Sequence, residues 1–310
     1  MTHSPQTRAS INIAVCTYRR PALRKTLSSL FALQVPEEFE VRIIVADNDA
    51  EPSAHALVHE MRAASPFEIE YVHCPKSNIS IARNACLDAS KSDYLAFIDD
   101  DEVASPEWLQ ELLETIRATG SDAVLGPVRA IYDDDAPGWM RRGDVHSTFP
   151  VCVSGAIRTG YTCNVILDMR SPHVAGRRFH LGLGQSGGED TQFFSAMTES
   201  GGRIEFAPAA LVTEPVPDSR ASLSWLCKRR FRSGQTHGRI LASKYASNSR
   251  LLQVGLAAAK ASYCMLAALL TAAATVRRNQ FILRGVLHAG VVSGLVGMQE
   301  IRQYGLVEIS

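Results

Sequence analysis

Four consecutive acids, Asp99-Asp100-Asp101-Glu102, follow directly on the apolar run Tyr94–Ile98. Carboxylates so close together repel one another, and something must offset that repulsion. A hard divalent cation, Mg²⁺ or Mn²⁺, does so: it prefers carboxylate oxygens and keeps positions open for phosphate oxygens. In an extended chain the i, i+2 spacing puts Asp99 and Asp101 on one side and points Asp100 elsewhere. The plain alternative is a solvated acidic turn capping the next helix. Asp47-Asn48-Asp49 closes an earlier apolar run, either as a turn bonding its own backbone or as a contact for a ribose or a base edge. Gly187-Gly188-Glu189-Asp190 is the third candidate. Its glycines allow close backbone approach to a ligand, and its acids open a helix where the dipole favours negative charge. Capping alone would also account for it.

These residues need a frame. Short apolar runs at Ile11–Cys16, Val41–Ala46, Ile69–His73 and Tyr94–Ile98 alternate with helix-like stretches at Pro21–Leu33, Pro52–Ala64 and Ile79–Ser90. Strand, helix, strand, helix in this order predicts an α/β fold with a mainly parallel sheet and covering helices. Ligands of such sheets sit beyond the carboxyl ends of the strands, where the acids above lie. A helix is expected over Pro106–Ala118 with Ser105 as N-cap, strands over Ala123–Tyr132 and Thr162–Asp168, and a helix over Glu189–Ser200. Short strands are expected at Ile204–Phe206 and Ala210–Thr213. Composition shifts near Pro215–Asp218, which predicts a catalytic domain over residues 11–218 behind a polar tail, 1–10, and a basic and apolar helical segment over 219–310.

The chain has 310 residues, 46% of them hydrophobic and 21% charged, enough for a sizeable core. Lys+Arg and Asp+Glu both number 32, and this neutral balance speaks against a nucleic-acid partner. Seven scattered cysteines without a Cys-x-x-Cys argue against a disulfide framework or a thiolate zinc site and suit a reducing compartment. The polar start, Met1–Ser10, lacks the apolar stretch of a secretory signal, so the catalytic part is expected on the cytosolic side. No Gly-x-Gly-x-x-Gly lies within Cys16–Pro21, which disfavours a dinucleotide dehydrogenase.

Five motifs in one order, Ile11-Asn-Ile-Ala-Val-Cys-Thr-Tyr-Arg-Arg, Ile43-Ile-Val-Ala-Asp-Asn, Ile81-Ala-Arg-Asn-Ala, Phe97-Ile-Asp-Asp-Asp and Gly188-Glu-Asp-Thr, resemble the family 2 glycosyltransferases with their GT-A nucleotide-sugar fold. The region Trp225–Arg239 is similar to bacterial enzymes of succinoglycan-type exopolysaccharide assembly. The resemblance implies that Tyr18, Asp47, Asn48, Asn78 and Arg83 hold the nucleoside. It places Asp99 and Asp100 toward ribose and uracil, and Asp101 on a divalent metal that bridges the diphosphate. Asp190 matches the catalytic base of inverting members. Where many relatives carry a metal-binding histidine this chain has Thr213-Glu214, so the resemblance implies either Glu214 as an oxygen ligand in its place or a metal with fewer protein ligands. The Gln-x-x-Arg-Trp motif of processive members is absent, so one sugar per acceptor is expected. Leu95–Val103 also fits the Asp-x-Asp-x-Val pattern of haloacid-dehalogenase-like phosphohydrolases, with Asp99 as nucleophile and Asp101 as acid/base; a catalytically idle nucleotide-sugar-binding scaffold is a third reading.

Arg229 and Arg230, with Lys228, Arg232 and Arg239, cluster beside Trp225 and Phe231. Such a cluster suits an anionic membrane surface, a lipid pyrophosphate or the donor diphosphate, unless it is only a solvated helix face. Glu189 is a further candidate for contacting acceptor or diphosphate. Leu251–Val276 approaches the length of a bilayer span, though Lys260 and its alanines weaken it, and Gly285–Met298 is shorter; a soluble helical hairpin packed on the catalytic domain is the alternative. Together these features predict an enzyme with a nucleotide-sugar donor and a lipid-linked saccharide acceptor, peripheral or monotopic on the cytoplasmic side of the inner membrane.

Overall fold

The computed structural model describes residues 8–244 and 246–298. The polar tail expected over 1–10 lies mostly outside them. β1 (Ala9–Thr17), α1 (Leu23–Phe31), β2 (Phe39–Asp47), α2 (His55–Arg62), β3 (Glu68–His73), α3 (Ile79–Ala89) and β4 (Tyr94–Asp99) alternate as the apolar runs predict. Then follow β5 (Val103–Ala104), α4 (Trp108–Thr119), β6 (Ala123–Leu125), β7 (Val128–Tyr132), α5 (Gly138–Gly143), β8 (Cys152–Val153), β9 (Ala156–Ile157) and β10 (Asn164–Asp168). The α/β part closes with α6 (Glu189–Glu199), β11 (Ile204–Phe206) and β12 (Val212–Val216).

The main sheet runs β11-β6-β10-β4-β1-β2-β3. Its β4-β1-β2-β3 half is parallel, and β10 is antiparallel to both its neighbours. Side chains alternate between two cores. Ile11, Ile13 and Val15 of β1 pack with α1, α2 and α4, while Ala14 faces α3 and α6. Both faces are covered, so the strands read as unbroken apolar runs.

Three local expectations change. Ala123–Tyr132 is two strands, because Gly126-Pro127 breaks the ladder and β7 leaves for a second sheet, β5-β12-β7. Gly126 passes so close to Ala210 and Asn164 that a Cβ would overlap them. The last strand spans Val212–Val216, with Pro215 inside it. There β12 pairs only with β7, since β5 reaches no further than Thr213, and proline on a one-sided stretch leaves no ladder bond unmade. Finally, α4 starts at Trp108 without a side-chain cap, and Ser105 contributes its carbonyl to the Trp108 N–H, 3.0 Å away.

Three helices complete the described chain: α7 (Leu223–Lys244), α8 (Ser247–Leu270) and α9 (Thr275–Leu295). Gly234 and Gly238 of α7 interlock with Gly290 and Gly294 of α9 so closely that a Cβ on any of them would strike the facing backbone. Gln235 donates to Ser293 Oγ across this seam, 3.0 Å away. Gly290→Ala should therefore lower unfolding free energy by roughly 1–3 kcal/mol in urea titrations, the usual cost of overpacking. Gly255 on α8 faces open space, and Gly255→Ala should instead raise stability by about 1 kcal/mol through helix propensity.

Candidate active site

β4 ends at Asp99 in the middle of the sheet, and the chain turns at once, Glu102 N–H to Asp99 O at 3.3 Å. Strand alternation therefore stops before Asp101, contrary to the i, i+2 expectation. Asp100 and Asp101 share one arginine instead: Arg20 lies 3.8 Å from Asp100 and 3.6 Å from Asp101. Asp100 also accepts from Thr17 Oγ1 at 2.6 Å and from the Tyr18 N–H at 3.3 Å. Glu102 points inward, is only 1% exposed and accepts from the Asp99 N–H at 2.9 Å. A solvated acidic turn is thus excluded. Burial pushes Asp99 up to about 6 and Asp100 up to about 7, with neighbouring carboxylates adding to the effect, and it holds Glu102 well above the usual range.

Glu214 on β12 and Asp101 converge on one cation. Arg220, from the turn Asp218–Arg220, sits 2.7 Å from Glu214 and 3.6 Å from Asp101. Two carboxylates thus face one positive charge here, and their oxygens are the donors a hard divalent cation would use. Asp99, Glu102 and Cys163 also offer ligand atoms within 4.8 Å of one another. Burial raises the Cys163 thiol as well as Glu102, which leaves that trio poorly suited to a hard ion. Arg220 and Arg229 lie over the Trp225 ring, at 5.8 and 5.4 Å, and Trp225 stacks on His146 at 5.6 Å. The charge of Arg229 reaches Glu214. Arg230 turns away toward the Val145 carbonyl, 3.5 Å off. Trp225 and Arg229 thus join the site and Arg230 does not.

At the end of β2, Asp47 is fully enclosed. It accepts from the Ala54 N–H at 2.8 Å, the Asp49 N–H at 3.1 Å and the Tyr71 hydroxyl at 2.8 Å. Asn48 Oδ1 accepts from the Asn78 N–H at 2.8 Å. Asn78 in turn caps α3 through Ser80 and Ile81 N–H and donates to Leu181 O at 2.9 Å. These three residues build the loop walls here, while Tyr18 stands half-buried beside them, 5.6 Å from Arg19.

Arg83 joins a different group. From α3 it reaches Glu189 at the start of α6, and both side chains are buried in an ion pair. Its guanidinium lies 5.6 Å from the Phe179 ring centre. Burial alone would lower its pKa, but the charges of Glu189, Asp99 and Asp190 hold it above its ordinary value. Burial and the Glu189 charge push Asp190 up to about 6, while its Oδ1 accepts from Thr191 N–H at 2.6 Å. Gly188 enters α6 at φ +93°, packed so closely on Thr236 of α7 that a Cβ would overlap it.

The glycosyl transferase family 2 model matches residues 12–180. The chain is 60% identical over 306 residues to the succinoglycan biosynthesis protein ExoM of Rhizobium meliloti (strain 1021), covering 99% of each. The chain belongs to glycosyl transferase family 2. A glucosyl-dolichyl phosphate glucuronosyltransferase of Haloferax volcanii is 31% identical over 140 residues, 43% of this chain and 40% of that one. The crystal structure of S. aureus TarS 1–349 superposes with a TM-score of 0.52 at 14% identity, covering 89% of this chain and 90% of that one. The fold is therefore the GT-A glycosyltransferase fold. The phosphohydrolase reading of Asp99 and Asp101 falls, since three strand–helix units precede β4 in a family 2 glycosyltransferase.

Arg20 and Arg220 escaped the sequence reading. Arg20 stands inside the first motif, two residues past Tyr18, and Arg220 follows Glu214 by six. In this glycosyltransferase Arg83→Ala would leave Glu189 charged, buried and alone, and should cost about 3–5 kcal/mol in denaturant unfolding. Arg83→Met with Glu189→Leu should recover most of that stability. A single mutant as stable as the wild type would show the pair to be unimportant for folding.

Proposed function

We propose that this glycosyltransferase moves one sugar, with inversion, from a nucleotide-sugar (a UDP-sugar) to a lipid-linked saccharide at the cytoplasmic face of the membrane, in exopolysaccharide assembly. The observation that carries the reading is that two carboxylate groups meet at Asp99 and Arg83. Asp101 and Glu214, which share Arg220, act on Asp99, and Asp190 acts on Arg83, which itself acts on Asp99. The succinoglycan relative supports exopolysaccharide as the product class, and the dolichyl phosphate relative supports a lipid-linked acceptor.

Asp101 and Glu214 would hold Mg²⁺ or Mn²⁺, which when bound neutralises the diphosphate leaving group. Tyr18 and the loop built by Asp47, Asn48 and Asn78 border the nucleoside, with Asp99 and Asp100 toward the ribose and uracil. Arg20, Arg220 and Arg229 supply positive charge on the diphosphate side. Trp225 holds two of these arginines in place through its ring face. Glu189, paired with Arg83, borders the acceptor side.

Asp190 accepts the proton of the acceptor hydroxyl as that oxygen bonds to the anomeric carbon and the nucleoside diphosphate departs from the opposite face. A carboxyl near 6 is ionised at neutral pH yet more basic than an ordinary aspartate, which favours this transfer. A single base suffices for one displacement with inversion. The stretch Trp225–Gln235 forms the first half of α7 and carries no Gln-x-x-Arg-Trp grip, consistent with one sugar per acceptor.

The base role fixes a pH dependence. Asp190 must be ionised to act, and its pKa is raised from 3.8 to about 6, so turnover should fall as pH drops through about 6. Asp190→Asn should lower transfer by about 10²–10⁴-fold while UDP binding persists, measured by calorimetry. Retained transfer in that variant would refute the assignment. For the metal side, UDP at about 100 times its Kd should stabilise the protein by roughly 2.7 kcal/mol in thermal unfolding with Mn²⁺. Asp101→Ala or EDTA should remove most of that shift, and an undiminished shift would exclude Asp101 as a ligand.

A further inference from the structure

The outer surface of α8 faces no other part of the described chain. Ala257, Cys264 and Ala268 bury its inner arc, whereas Leu252, Tyr263, Leu266 and Leu269 stand 57–73% exposed on the opposite arc. Stepping 100° per residue, that outer arc contains no charged residue, and Lys260 falls at its margin. Ser249–Leu270 is also the one helix among the described residues long and apolar enough to cross a membrane. Beside the α8–α9 turn, Arg277, Gln280 and Arg284 line a groove of about 390 Å³ with Thr271 and Phe281. Among the described residues no carboxylate pairs with Lys260, Arg277 or Arg284. Burial and the charges of Lys260 and Arg284 lower His288, so the margin of α8 and the groove share one positive field.

We propose that α8 lies flat in one leaflet of an anionic bilayer. Its outer arc enters the acyl layer, and Lys260, Arg277 and Arg284 rest on lipid phosphates. Charge complementarity selects this occupant: an uncharged apolar face with the unpaired cations Lys260, Arg277 and Arg284 near it matches an anionic lipid surface. Length alone would let α8 cross, since 24 residues extend about 36 Å. Packing forbids it. α8 lies against α9 along their shared length, and α9 is interlocked with α7 through the four seam glycines. An upright α8 would carry Arg284 of α9, which lies level with Cys264 and Met265 of α8, into hydrocarbon, where a cation is costly. Lying flat keeps Arg284, with Arg277, at the headgroups.

This inference deepens the reading of a membrane-borne acceptor and rests on it for its purpose, but its test does not need the acceptor. The full-length protein is sedimented with phosphatidylcholine vesicles, with and without phosphatidylglycerol. Wild type should favour the anionic vesicles by roughly tenfold or more, and salt should erode that preference. Leu266→Glu with Leu269→Glu should abolish binding to both vesicle types. Arg277→Gln with Arg284→Gln should remove only the preference. The thermal shift on adding UDP with Mn²⁺ reports on the catalytic domain alone and should be unchanged in every variant, so a failed transferase reading shows separately. Depth is read by bromolipid quenching of a tryptophan introduced as Leu252→Trp or Leu269→Trp, above the wild-type background; equal depths indicate a flat helix. Protein left in the supernatant, variants that bind like the wild type, unequal depths, or binding that requires a polyprenyl diphosphate in the vesicle would each overturn the proposal.

Discussion

Everything at the sheet's carboxyl edge answers to one constraint: carboxylates withdrawn from water and placed side by side. Asp99, Asp100 and Glu102 each rise toward protonation because burial disfavours their charge. Left alone, such a cluster would neutralise itself and lose its use. Four arginines oppose this at Asp99, Asp100 and Glu214, and they come from distant parts of the chain. Arg20 follows β1, Arg83 lies on α3, Arg220 follows β12 and Arg229 rides on α7. The edge can be assembled only when the whole domain closes, so the local electrostatics and the global topology impose the same requirement.

The C-terminal helices belong to this assembly. Thr236 of α7 presses on Gly188 at the entrance to α6, and Trp225 stacks on His146 while carrying Arg220 and Arg229. Any shift of α7 would move both the arginines of the diphosphate side and the start of the helix bearing Asp190. The glycine seam with α9 makes such a shift difficult, because backbones in direct contact leave no side chains to repack. The surface carried by α8 is thus tied, through rigid packing, to the two ends of the proposed reaction centre.

How far the sequence could be read follows from the range of the interactions involved. The parallel half of the sheet was legible because strands buried on both faces must be continuous apolar runs. The order of the five motifs was legible because each marks the end of a strand or the start of a helix. Effects a few residues long were missed where the chain departs from regular geometry: the Gly126-Pro127 break, and the turn after Asp99 that aims Asp100 and Asp101 at one arginine. Long-range partners were missed for another reason. Nothing in the neighbourhood of Arg220 announces that it will meet Asp101, 119 positions earlier. Arg83 showed the same limit: the family resemblance set it beside the nucleoside while its partner lay on α6.

That pairing explains how the two acids at the start of α6 can differ in kind. Glu189 and Asp190 are adjacent, both lie close to Arg83, and both sit where a helix N-terminus favours negative charge. A direct ion pair with Arg83 commits a carboxylate's oxygens to the guanidinium. Glu189 takes that pair. Asp190 feels the guanidinium only at longer range, bonds to Thr191, and is left to the opposing pull of burial and its neighbour's charge. Arg83 and Glu189 together therefore anchor α6 without exhausting the basicity of Asp190. The proposed chemistry needs that division: one buried carboxylate spent on holding the helix, and the next left free to take a proton.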